Sequence, residues 1–134
     1  MAVIDASVYI TMLDESDLEH ANCLAWFAAA AEAGEPILAP SLILSEIAAA
    51  ISRGRDDTAL AKEAVRLLEQ SVVVQLVAVT SEVARRAATI AADQRVRGAD
   101  AIYLALAQQL DEPLVTLDRQ QLLRGAAIAR TLRP

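Results

Sequence analysis

At 134 residues, with 55% hydrophobic side chains, the chain has the length of about one domain and enough apolar matter for one real core. Only 3% of residues are aromatic, so that core must be built from Ala, Leu, Val and Ile. The formal net charge of −6 excludes a protein that grips nucleic acid by bulk positive charge, and the lone Cys23 excludes a disulfide framework or a cysteine zinc site.

The first element is the apolar run Ala2, Val3 and Ile4, which stops at Asp5 with Ser7 two residues on. Ala6 to Leu13 reads as a short helix. Ser16 with Glu19 three residues later makes a capping box for a helix from near Asp17 to about Ala33, and Gly34 suits its stop. That helix holds Cys23 and the only histidine, His20, so paired-histidine chemistry is not available. Pro36 to Ala39 is a brief second strand, followed by a helix from Leu42 to about Ser52. Within it Glu46 stands among Leu42, Ile43, Ile47, Ala49 and Ala50, a costly position for an unpartnered carboxylate. Arg53 to Asp57 reads as a polar turn before a helix ending near Gln70.

Val72 to Val77 is the third strand, rich in β-branched residues. Thr80 or Ser81 begins an amphipathic helix to about Arg97. From Asp100 to Leu110 the chain is apolar almost all the way round, which predicts a buried helix with Asp100 as its only charge before Asp111. Leu114, Val115 and Thr116 then form the fourth strand, and Asp118 follows after Leu117. Asp118 to Arg124 is a last helical turn and Ala127 to Leu132 a weak fifth strand. The βα alternation predicts a single α/β domain over residues 1–134 with a mainly parallel sheet. No apolar run approaches the ~20 residues of a membrane span, and no basic start precedes a long apolar stretch, so the expectation is a cytoplasmic protein without a membrane partner.

Two strands thus end in aspartates, and in a parallel sheet both acids lie at the carboxyl edge, where open α/β sheets hold ligands. Asp5, Asp100 and Asp118 each also suit an ordinary helix cap; Glu46 does not. If the four converge within ~5 Å, each pair repels by roughly 3 kcal/mol at an effective dielectric of ~20. Such a cluster needs a cation or shared protons. All-oxygen ligands suit Mg²⁺ or Mn²⁺, and such a site serves phosphodiester hydrolysis.

Val3-Ile4-Asp5-Ala6-Ser7, Leu44-Ser45-Glu46-Ile47, the helix Gly98-Ala99-Asp100-Ala101-Ile102-Tyr103-Leu104-Ala105-Leu106-Ala107 and Leu114-Val115-Thr116-Leu117-Asp118 resemble, in order and spacing, a PIN domain. More closely they resemble the VapC type of toxin ribonuclease. The resemblance implies a three-layer α/β/α fold with a five-stranded parallel sheet, the Asp5 strand central and beside the one ending near Asp118. It implies that Asp5, Glu46, Asp100 and Asp118 bind divalent metal and carry catalysis of RNA cleavage by activated water. Ser7 and Thr116 match the small hydroxyl positions that support Asp5; a helix start and a strand residue are their plain readings. Arg97 and Arg119, next to catalytic positions, are candidate phosphate contacts or solvated helix-end charges, with Arg53 and Arg55 weaker candidates. The resemblance also implies a small antitoxin partner and a homodimer.

Two rivals come from other classes. One is a catalytically silent PIN-like interaction module, against which the four retained acids argue. The other is a phosphoacceptor domain, which needs a lysine at a late strand end; Lys62, the only lysine, falls inside a helix instead. A DNA nuclease of related fold is a closer competitor, since no residue here reads a 2′-hydroxyl.

Overall fold

The computed structural model describes residues 1–134. Five parallel strands lie in the order β3-β2-β1-β4-β5: β1 Ala2–Ile4, β2 Ile37–Pro40, β3 Val74–Val77, β4 Leu114–Val115 and β5 Thr131–Leu132. The connecting helices are α1 Ala6–Leu13, α2 His20–Glu32, α3 Ile43–Arg55, α4 Thr58–Glu69, α5 Ser81–Gln94, α6 Gly98–Leu110 and α7 Arg119–Arg124. Successive parallel strands need crossover helices, and the right-handed rule puts those leading out to β3 on one face and those returning to β4 and β5 on the other. The result is the three-layer α/β/α arrangement expected from the sequence. No helix is long and apolar enough to cross a membrane.

The central strand β1 is buried along its whole length, as is β4 beside it, which is why both read as unbroken apolar runs. The chain direction along the sheet reverses between β1 and β4. Their register, Val3 with Leu114 and Ile4 with Val115, is extended by the Asp5 N–H, which donates to the Val115 carbonyl at 3.2 Å. Asp5 and Thr116 are therefore the next pair in register, at the switch point of the sheet. Helix α6 lies across β1, β2 and β4, with Ala101, Leu104, Ala105 and Ala107 wholly buried. Its small side chains let the backbone come close to the sheet.

Several element ends differ from the sequence reading for local reasons. The capping box at Ser16 and Glu19 does not form, and α2 starts at His20. Instead the Asp14 carboxylate accepts from the Ser16 N–H at 3.0 Å and Asp17 from the Glu19 N–H at 2.8 Å, two local turns that compete with helix initiation. Gly34 does end the segment, with φ of 65°. Helix α3 continues through Arg53, Gly54 and Arg55 rather than turning there, and stops at Asp56 in the left-handed conformation. The Arg55 guanidinium lies 2.7 Å from the Asp14 carboxylate, anchoring that last turn to the end of α1. Helix α5 ends at Gln94, not Arg97, because Arg95 is left-handed; α6 then starts at Gly98, two residues before Asp100. Val72 is fully outside the third strand and exposed, since the Ser71 hydroxyl accepts from the N–H groups of Val73 and Val74 and holds a turn there. The fifth strand is confined to Thr131 and Leu132, with Gly125–Ala127 forming a turn of 3-10 helix instead.

Candidate active site

A cleft of about 510 Å³ opens at the carboxyl edge of the sheet, and Asp5, Glu46, Asp100 and Asp118 all line it. Each arrives on a different element. Asp5 ends β1 and caps α1, accepting from the Ser7 N–H. Glu46 sits in the first turn of α3, where the positive end of the helix dipole favours a carboxylate. Asp100 lies in the first turn of α6, and Asp118 caps α7 by accepting from the Gln120 and Gln121 N–H groups at 2.7 and 2.9 Å. Capping is thus real for Asp5 and Asp118, while the Asp100 side chain makes no cap. It is held by other side chains.

Thr116 is completely buried beneath the cleft. Because it follows Val115 in register opposite Asp5, its hydroxyl donates to Asp5 Oδ2 at 2.6 Å, and the same oxygen accepts from the Asp118 N–H at 3.0 Å. One hydroxyl therefore ties together the acids at the ends of two neighbouring strands. Ser7 works mainly through its backbone; its hydroxyl accepts from the Leu117 N–H at 3.2 Å, fastening α1 to the β4 exit.

Two site residues were not foreseen. Tyr103, one turn beyond Asp100 on α6 and 1% exposed, donates its hydroxyl to Glu46. In an apolar helix a tyrosine reads as core, and only its polar tip signals a partner. Gln121, equally buried, donates from Nε2 to Asp100 Oδ1 at 3.1 Å, while its own Oε1 has no partner.

The arginines divide. Arg97 lines the cleft and grips Asp100 with two prongs, Nε to Oδ2 at 2.8 Å and Nη2 to Oδ1 at 3.3 Å; the same Nη2 lies 3.6 Å from Asp118 Oδ2. Arg53 also lines it but bonds only the Ala49 carbonyl. Arg119, the first residue of α7, is exposed and outside the cleft lining. Arg55 is occupied with Asp14, likewise remote from the acids.

Burial pushes the Asp5 carboxyl above its ordinary range; the Thr116 and Ser7 hydrogen bonds oppose this and the Asp100 charge adds to it. Glu46 is raised for the same leading reason, with the Tyr103 hydroxyl and Arg97 opposing and Asp5 and Asp100 adding. Two carboxylates feeling each other at the mouth of one cleft describe a site short of positive charge. Four acids against two guanidinium groups leave two formal negative charges. The negative balance of the lining and its all-oxygen donor set fit divalent cations of the Mg²⁺ or Mn²⁺ kind. No three of the acids stand at the spacing of a closed ligand set, since Arg97 bridges two of them and Glu46 is turned to Tyr103.

The PIN domain family model matches residues 2–127. Among solved structures, the chain is similar to VapC20 of Mycobacterium tuberculosis, a sarcin-ricin loop cleaving toxin, with a TM-score of 0.79, 18% identity and all of both chains covered. It is also similar to a toxin-antitoxin complex from Klebsiella pneumoniae, with a TM-score of 0.65, 18% identity, and 98% of this chain and 96% of that one covered. VapBC2 of Rickettsia felis, bound to a DNA fragment from its promoter, gives a TM-score of 0.72 at 10% identity, with 99% and 98% covered. At these identities the likeness establishes the fold. No curated protein shows significant similarity in sequence.

Proposed function

The chain belongs to the PIN-domain family, and from that premise we propose that it is a Mg²⁺- or Mn²⁺-dependent endoribonuclease, the toxin of a toxin–antitoxin pair. The observation that carries this reading is the gathering of Asp5, Glu46, Asp100 and Asp118, from four separate elements, into one cleft at the switch point of the sheet. Asp5 and Asp100 are the principal metal ligands; Asp118 shapes the pocket or shares the ion. When bound, the ion neutralises phosphate oxygens and makes water a competent nucleophile at neutral pH.

Within this reading the side chains have distinct tasks. Thr116 and the Ser7 N–H fix the Asp5 carboxylate, so its oxygens face the cleft without a search through rotamers. Glu46, steadied by Tyr103, orients the attacking water or takes its proton. Arg97, which lines the cleft, offers its guanidinium to a phosphate oxygen of the substrate. Attack on phosphorus and departure of the 3′ oxygen leave a 5′-phosphate and a 3′-hydroxyl, with no side chain acting as nucleophile.

The toxin role rests on the fold shared with VapC20 and with toxin-antitoxin complexes. It includes a cognate antitoxin that covers the acidic groove with a basic side chain, and a homodimer as the assembled form. The deciding experiment incubates the protein with end-labelled transfer RNA and ribosomal hairpin fragments, and with matched single-stranded DNA, in Mg²⁺ or Mn²⁺. Cleavage of RNA that EDTA and Asp5→Asn each abolish, in a variant that melts like the parent, is the expected result. Full activity of Asp5→Asn refutes the site, and preferential DNA cleavage refutes the substrate.

A further inference from the structure

We propose that the Arg97 guanidinium is a tethered counter-ion that holds the place of the divalent cation between Asp100 and Asp118, so that arginine and cation compete for the same oxygens. The inference rests on the reading of the cleft as a cation-dependent nuclease site.

Arg97 is the N-cap residue of α6, where its side chain makes no capping bond and a positive charge meets the positive end of the helix dipole. The helix gives it no reason to stay. What holds it is the pair of bonds to Asp100 at 2.8 and 3.3 Å and the approach to Asp118 at 3.6 Å. The side chain is nonetheless 76% exposed, against 9% for that of Asp100. A buried acid is thus covered by a charge on a flexible, solvated arm that can leave without disturbing the core.

The acid itself stays in place when the arm leaves, because Gln121, packed beneath it, keeps its bond to Asp100 Oδ1. The geometry therefore separates a fixed ligand from a removable cover. Arg53 provides the contrast, since it lines the same cleft and carries the same charge yet pairs with no carboxylate. Released from the acids, Arg97 stands at the rim as a free guanidinium for a phosphate oxygen. Its two partners are then taken in turn: carboxylates in the empty cleft, substrate in the loaded one.

A cation that binds only the open form has its apparent affinity reduced by the fraction open. An ion pair this exposed and two-pronged closes the site by roughly three- to ten-fold. Wild type, R97A, R97K, R53A and D5N, each shown folded by circular dichroism, would be stripped with EDTA, dialysed free of it and titrated with Mn²⁺. Binding would be read by calorimetry and by loss of the free-ion paramagnetic resonance signal. The expected result is that R97A binds Mn²⁺ about three- to ten-fold more tightly, R97K falls between it and wild type, and R53A stays within about two-fold. R97A equal to or weaker than wild type overturns the proposal, as does R53A tightening as much as R97A, which would mean that net charge alone acts. If wild type binds no Mn²⁺, or D5N binds as well as wild type, the nuclease reading falls and this inference with it. Binding that needs Asp5 but ignores Arg97 overturns this inference alone.

Discussion

Thr116→Val is the substitution that tests how the two strand-end acids are held. Valine replaces the hydroxyl by a methyl group of nearly the same shape, so packing in this fully buried position is kept while both hydrogen bonds go. Losing a bond to a buried carboxylate costs about 1.5–3 kcal/mol, and leaving the Asp118 N–H without its acceptor costs about 1–3 kcal/mol. Asp118 is only half-buried and water reaches it, so its N–H costs about 1 kcal/mol, and with about 2 kcal/mol for the buried bond to Asp5 the sum is about 3 kcal/mol. For a chain of this length that lowers Tm by roughly 10 °C. Urea unfolding followed by circular dichroism, in EDTA so that no cation contributes, measures it directly. Thr116→Ser keeps the hydroxyl and loses only a methyl group, for about 1 kcal/mol. Cleavage by the valine variant should fall about 10- to 100-fold as the Asp5 carboxylate loses its fixed direction. A valine variant within about 0.5 kcal/mol of the parent, or a serine variant damaged as much as the valine one, would refute the reasoning.

Tyr103→Phe removes the hydroxyl that Glu46 accepts while leaving the buried ring in place. Because Glu46 is half-exposed, water replaces the lost donor and stability should change by only about 1 kcal/mol. The single-turnover cleavage rate should fall about tenfold with substrate affinity unchanged, and an unaltered rate would show that the phenol does not position Glu46. At the surface, the Arg55 side chain, helped by Ser16, holds the Asp14 carboxyl down at about 2 against an ordinary 3.8. A depressed acid adds stability that is present above 3.8 and is lost as pH falls through about 2. A carboxyl-detected NMR titration should therefore find Asp14 titrating near 2 and, in Arg55→Ala, moving up toward 3.8; an unmoved midpoint in the variant would contradict the pairing.

The layers were legible in the sequence because a parallel strand buried on both faces has to be written as an unbroken apolar run. Ala2 to Ile4 and Leu114 to Val115 are such runs, the first closed by Asp5 and the second followed by Thr116, Leu117 and then Asp118. Helix α6 was legible for the same reason, being buried almost all round. Helix ends were less so. Ser16 and Glu19 satisfy the capping-box pattern, but Asp14 and Asp17 offer their carboxylates to the same backbone two residues on, and the shorter-range bonds win. The continuation of α3 past Ser52 depends on the distant Asp14 accepting from Arg55, a partner forty-one positions away that no local window contains. Tyr103 and Gln121 escaped notice because their polar tips are spent on acids from other elements, and the pairing exists only after the sheet has assembled. Arg119 shows the limit of sequence adjacency: although it follows Asp118 directly, it stands exposed at the start of α7 and is not among the residues that line the cleft.

On the proposed ribonuclease reading, the order of the strands gives a −6 chain its place for a polyanion. Bulk charge repels RNA, so attraction must be generated where it is used, and the switch point between β1 and β4 is where the backbone leaves an opening for it. Placing Asp5 and Thr116 in register puts an acid and its buried donor on neighbouring strands, while α6 and α7 deliver Asp100 and Gln121 as a second acid with a second buried donor. Each floor acid is thus oriented from below by a neutral group that leaves its charge uncancelled. The only cations at the cleft, Arg53 and Arg97, approach from the solvent side on long arms. A permanent buried ion pair would have quenched the site and fixed its charge. Neutral donors beneath the acids and a solvent-exposed guanidinium above them are the arrangement that the proposed exchange of arginine for a cation requires.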